Sequence, residues 1–358
     1  MKYIEKPIAN IMRSGLIESQ HFGSVVAVDF DGNMVAYYGN PYRKTFLRSA
    51  EKPLQAIPTY SDLACMKFFG FNSRERAYMV ASHNGERYHQ EIGRSVQKKL
   101  GITNKDMKCG IHPPLDTITA DEMRGNNEPF TELCHNCSGN HMVMIALSKF
   151  KGWGIDNYTD PGHPYQQEVL KWVSLFSGVP KRRIGIGSDG CTAPVHYLTL
   201  YEMALCFARF SKPERLVELP NPDNLDISHG IKAMKQIMSD YWAHPEIIGG
   251  RNRLCTILNR IGRGRFFTKE GGEALHMVGI ADQGVGLIVK ITDGDALWRV
   301  ANTVLIETLV QLELITPKEF ELIKKEKIHY KPDLSKQVGG RFQSVQPVFK
   351  IHKLHGWD

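Results

Sequence analysis

Residues 24–38 read SVVAVDFDGNMVAYY, two runs of β-branched and aromatic residues around Asp31-Gly32-Asn33, and this pattern predicts a β-hairpin. A second pair of apolar runs, ALHMVGIA (274–281) and VGLIVKIT (285–292), flanks Asp282-Gln283-Gly284 and predicts another. The segment ALWRVANTVLIETLVQLELI (296–315) then repeats apolar positions every three or four residues and stops short of Pro317, so it reads as a helix. Between the hairpins the periodicity is mostly helical, over 86–100, 141–150, 163–176, 195–210 and 228–239. No fixed-period repeat or low-complexity tract is present, and the last thirty residues, broken by Gly, Pro and Lys, yield no element. Strands at opposite ends of the chain with helices between them imply an α/β (α+β) fold. Its mixed antiparallel sheet is built from both chain ends and flanked by helices, with a mainly helical inserted lobe. The expected division is one unit spanning 1–358, with a sheet lobe of about 1–80 plus 265–358 and a helical lobe of about 81–264.

Composition narrows the class. Of 358 residues, 42% are hydrophobic and 23% charged, as in soluble globular proteins. A net charge of +7 is spread too thinly to indicate nucleic acid, and no apolar run reaches the eighteen residues that would suggest a membrane span. The start, MKYIEKPIANIMRSGLIES, lacks the apolar core of a secretory signal. Seven cysteines, an odd number without an export signal, fit reduced thiols and a cytoplasmic location.

Candidate chemistry begins at FLRSAEKPLQ (46–55), where Ser49 precedes Lys52 by three residues. On a helix that spacing puts both on one face, so an uncharged Lys52 amine can take the Ser49 proton. Two further Ser-x-x-Lys matches, Ser95 to Lys98 and Ser148 to Lys151, lie in helical segments and read as solvated surface. A lysine base at neutral pH needs desolvation or a second nearby cation. Later motifs offer one: Ser-x-Asn in SHNGE (82–86), then Lys-x-Gly in KEGG (269–272), just before the strand ALHMVGIA. That order is the one used by penicillin-recognising serine enzymes and their amidohydrolase relatives. Lys269 would either depress Lys52 or act as base through Ser82.

The longer stretches NIMRSGLIESQHFGSVVAVDFDGN, FLRSAEKPLQAIP, ASHNGE, CGIHPP, NCSGNH, GSDGCTAP and HPEIIGGRNR resemble, in order and spacing, the rhizobial-type asparaginase family, over about residues 8 to 292. The resemblance implies hydrolysis of L-asparagine to aspartate and ammonia, a fold similar to serine β-lactamases and glutaminases, and a homodimer. By motif it places catalytic roles on Ser49, Lys52, Ser82 and Lys269. Expected substrate contacts are Arg48, a planar partner for the substrate carboxylate, Asn84 and Glu86 of the SHNGE loop, His141, and Asp189, offered to an ammonium group. The family usually reads NCSGKH where this chain has Asn140, and that lysine adjoins two cysteines, here Cys137 and Cys191, that can hold zinc. Asparagine is a much poorer ligand than an amine or thiolate. No cofactor is therefore expected to be required and zinc is possible, the other reading being two buried thiols lining a polar pocket.

GIGSDG (185–190) matches G-x-G-x-x-G, but PKRR before it is no buried strand and Pro194 follows closely, so a dinucleotide site is rejected. Most arginines of RNRLCTILNRIGRGRF (251–266) read as solvated surface. The functional expectation is an L-asparagine amidohydrolase acting through an acyl-enzyme. Its rivals are a serine–lysine amidase for glutamine, a β-lactam or another small amide, a non-catalytic zinc-containing binding protein, and a family member weakened by Asn140.

Overall fold

A computed structural model describes residues 3–296, 298–326, 334–338 and 341–357. The chain opens with strands β1 (Lys6–Arg13), β2 (Leu16–Asp29), β3 (Met34–Tyr38) and β4 (Lys44–Phe46). A 3₁₀ turn, Arg48–Glu51, leads into helices α1 (Lys52–Ser61), α2 (Leu63–Phe69), α3 (Ser73–Met79), α4 (Arg87–Leu100), α5 (Thr117–Gly125), α6 (Ser138–Lys151) and α7 (Pro164–Ser177). Strands β5 (Gly185–Ser188) and β6 (Pro194–Thr199) interrupt the helices, which resume as α8 (Leu200–Ser211), α9 (Ile227–Ala243), α10 (Pro245–Ile248) and α11 (Leu254–Ile261). Strands β7 (Phe266–Gly271), β8 (Leu275–Ile280) and β9 (Val285–Ile291) return to the sheet. Helices α12 (Ala301–Gln311) and α13 (Pro317–Lys325) and strands β10 (Leu334–Val338), β11 (Arg341–Pro347) and β12 (His352–Lys353) complete the chain.

The main sheet runs β10-β11-β1-β2-β9-β8-β7, with β3 on β2 and β12 on β3, while β4-β6-β5 form a small second sheet. The fold is α+β, with a main sheet gathered from both chain ends, as the pattern implied. Strand β2 reaches so many partners because it is long: Leu16–Gly23 pairs with β1, and Gly23–Asp29 pairs with β9. At the changeover a Cβ on Gly23 would sit 2.6 Å from Lys290 O, so glycine lets the backbones meet.

Helices cover both faces of this sheet. Val26, Val28, Met277 and Ile288 join one apolar cluster with the helices of the middle chain; Val25, Ala27, Val278 and Val289 join another with α11 and α12. A strand buried on both faces has no polar side to alternate with, which is why VGLIVKI is apolar nearly throughout. Helix α8 crosses β9 closely enough that a Cβ on Gly286 would overlap Ala204 O.

Both hairpins form as the pattern predicts, Val25 facing Tyr38 and Met277 facing Ile288. Four local expectations change. The 195–210 helix begins only at Leu200, because Pro194–Thr199 pairs as β6, and a Thr199/Glu202 capping box starts the helix. The 296–315 helix begins at Ala301, where the Asp295 carboxylate accepts the N–H groups of Arg299, Val300 and Ala301 at 2.8–2.9 Å. Lys269 precedes the ALHMVGIA strand as read, and is itself part of an unpredicted strand, β7, opposite Met277. Ser148, read as solvated surface, is fully buried and bonds Met144 O.

Candidate active site

The RSAEK stretch forms a strained turn. Arg48 has φ +53°, a left-handed conformation that a side chain rarely adopts. Its neighbours hold it there. Leu47 N–H bonds His196 O at 3.1 Å, and the fully buried Glu51 carboxylate pairs with His196 Nδ1 and accepts the His196 N–H. The turn bearing Ser49 is thereby clamped to β6. Helix α1 starts at Lys52 with Pro53 in its first turn, where a missing N–H costs nothing. Lys52, 2% exposed, donates through Nζ to Ala81 O at 2.7 Å and Asn136 O at 3.2 Å.

Ser82 follows the end of α3, its N–H held by Ile248 O at 3.0 Å, and its buried Oγ has no partner among the described residues. Next to it His83 accepts the Gly85 N–H on Nδ1, so Nε2 carries the proton and donates to Ser138 Oγ at 2.9 Å. The ring stacks between Tyr78 and His89, and burial holds it well below the usual imidazole value. Lys269 has no exposed surface, and its Nζ donates to Glu270 O at 2.9 Å. Burial lowers its pKa to about 7; Lys52 and Arg253 push the same way, while Cys255 and Glu270 oppose. Strand β7 runs directly against the Ser49 turn, since a Cβ on Gly271 would lie 2.8 Å from Leu47 O.

Both serines line one cavity of about 840 Å³ together with Arg48, Asn84, Asn136, Cys137, Asp189, Cys191 and Arg253. Lys52, bonded to Asn136, and Lys269, next to Glu270, are buried beside this lining, close enough for the Lys52 charge to act on Lys269. At the wall Arg48 Nε meets Asp189 Oδ1 at 2.6 Å, so the two candidate substrate contacts are paired with one another. Asn84 lines the cavity, but both ends of its amide are used, donating to Arg251 O and accepting from Arg253. Glu86 is not part of the lining; its Oε1 accepts the Arg251 N–H at 2.7 Å. His141 is not part of it either: fully buried, it meets Tyr158 Oη at 2.6 Å through Nδ1, and burial pushes it down to about 3.

Cys137 and Cys191 are both free and line the cavity together, and Cys137 Sγ lies 3.3 Å from Asn136 Oδ1. The adjoining Cys191 thiol, with Lys52 and His135 nearby, draws Cys137 well below the ordinary thiol value, while Cys191 is itself pushed up. Asn140 donates to Gln55 Oε1 at 2.9 Å, and its own buried Oδ1 has no partner among the described residues. Among the described residues no group of three or more His, Cys, Asp or Glu side chains could hold a metal ion. Two thiols and a carboxamide do not make the four-ligand set zinc prefers.

Sequence reasoning passed over Arg253 and Glu270. Arg253 Nε and Nη2 both reach Glu270 Oε2, at 2.9 and 2.6 Å. The available signals were the position of Glu270 inside KEGG and of Arg253 at the end of HPEIIGGRNR; the charge-rich surroundings of Arg253 made it read as surface.

This α+β chain is an amidohydrolase of the asparaginase type. It belongs to the L-asparaginase II family, whose model matches residues 9–342. Membership makes the chain an enzyme, an L-asparaginase. No curated protein matches it.

Proposed function

We propose that the enzyme hydrolyses the side-chain amide of L-asparagine through an acyl-enzyme on Ser49. Lys52 takes the hydroxyl proton as the oxygen attacks the amide carbon, and backbone N–H groups at the turn receive the oxyanion. The proton taken by Lys52 passes by way of Lys269 and Ser82 to the departing nitrogen, releasing ammonia, and water then cleaves the β-aspartyl ester. The observation carrying this reading is the convergence of two serines at one cavity with two buried lysines beside it. The Ala81 and Asn136 carbonyls hold the Lys52 amine in place, three residues on from Ser49. Near pH 7 a large share of Lys269 lacks a proton, as a relay requires. The Arg48–Asp189 pair offers adjacent charges of both signs, matching a substrate that carries both a carboxylate and an ammonium. No step is routed through a metal. The family resemblance supports a homodimer, and seven free cysteines support a reducing, cytoplasmic setting.

The test is ammonia release from L-asparagine, with L-glutamine alongside. Ser49→Ala and Lys52→Ala should each lower kcat by about 10³-fold or more while retaining the native circular dichroism spectrum. Retained turnover in either variant would overturn its assigned role.

A further inference from the structure

Ser82 and Lys269 are 187 positions apart in the chain and sit on a loop and a strand that share no backbone ladder. Something must hold them in register. Arg253, at the head of α11, stands between the two: Nη1 donates to Asn84 Oδ1 at 3.0 Å, two residues beyond Ser82, while Nε and Nη2 grip Glu270, the residue after Lys269. The anchors are themselves fixed. Glu270 also accepts the Cys255 N–H, and Asn84 donates to Arg251 O. The Arg253 side chain is 22% exposed and that of Glu270 6%, so the fork works largely out of water, where a two-pronged ion pair is strong and directional.

We infer that Arg253 is a positioning residue of the reaction: its guanidinium bolts the Ser82 loop to the Lys269 strand and sets a fixed positive charge beside that lysine. The inference rests on the serine–lysine reading. Lys269 is faced by Lys52 of α1, by Cys255 and Arg253 of the α11 segment, by Glu270 on its own strand and by His276 of β8. Of these, Arg253 alone both bonds the serine's loop and carries a permanent charge. The cation favours an uncharged Lys269, and the Glu270 carboxylate works against it, so deleting one or the other moves the lysine in opposite directions.

The test is the pH profile of kcat/KM on L-asparagine. If uncharged Lys269 is needed, activity falls on the acid side as it gains a proton. Arg253→Met should move that acid limb upward by about one pH unit, because it removes a cation and strands an anion. Its kcat should also fall by about 10²-fold through lost alignment. Arg253→Lys should keep the limb in place yet lose kcat, since one ammonium cannot span both partners. Glu270→Gln, which still accepts the Cys255 N–H, should move the limb downward. A rate loss in Arg253→Met with the limb unmoved would mark a structural role only and overturn the inference. Should that variant fail to fold, an unmoved limb in Glu270→Gln would overturn it equally. Ser49→Ala separates the two layers. If it stays active, the serine–lysine reading fails; if it is inactive while Arg253→Met keeps wild-type rate and profile, only the positioning role fails.

Discussion

Asn140 shows how much one side chain decides at this site. Its Nδ2 is spent on Gln55, and the remaining carboxamide oxygen is a weak metal donor compared with an amine or thiolate. A zinc-dependent mechanism would need a third strong ligand. Exhaustive dialysis against a chelator is therefore expected to leave turnover within about twofold of the untreated enzyme, measured as ammonia release. A large loss that added zinc restores would show that the site finds its ligand elsewhere. Arg48 makes a different point at the same scale. RSAEK is readable as a nucleophile motif, yet nothing in those letters announces a left-handed arginine or the buried Glu51–His196 pair that sustains it.

Elements were legible where their pattern answered to local physics alone. Each hairpin carries its own turn signal, and strands buried on both faces are almost wholly apolar whatever packs on them. Legibility failed where a distant partner competed. Residues 194–199 carry a pattern that suits helix or strand, and pairing with β4 and β5 selects the strand. The helix starts late because the Asp295 carboxylate claims the N–H groups of Arg299, Val300 and Ala301. One contact between elements invites a direct measurement. Gly286 lets α8 lie on β9, and a methyl group there would meet Ala204 O. Gly286→Ala should destabilise the enzyme by about 1–3 kcal/mol, read as a lower urea midpoint with an unchanged slope. An unshifted midpoint would mean the helix can rise off the sheet at no cost.

At the scale of the whole molecule, the buried histidines set the response to acid. His89 and His141 are pushed down to about 3 and His276 to about 4, in each case chiefly by burial. These rings stay neutral in the fold but take up protons in the unfolded chain below about pH 6.5. The unfolded state then binds more protons, so stability falls as pH drops from about 6.5 toward the folded values. Thermal melts should show a falling midpoint across that window. A flat midpoint between pH 6.5 and 4.5 would show that these rings are protonated in place or relieved by water. Lys269 contributes in the opposite range: its depressed value favours unfolding as pH falls below about 10, so its burial already costs stability at neutral pH.

The amino-acid order by itself determined the α+β class, the two hairpins, most of the helical segments and the motifs around Ser49, Lys52, Ser82 and Lys269. Hydrophobic periodicity and turn chemistry are local and leave their mark on neighbouring letters. Tertiary structure alone decided that Arg48 faces Asp189, that Glu86 and His141 lie outside the cavity wall, and that Arg253 joins two remote segments. Those outcomes depend on which charges burial forces together, and an ion pair between residues far apart in the chain has no period to read.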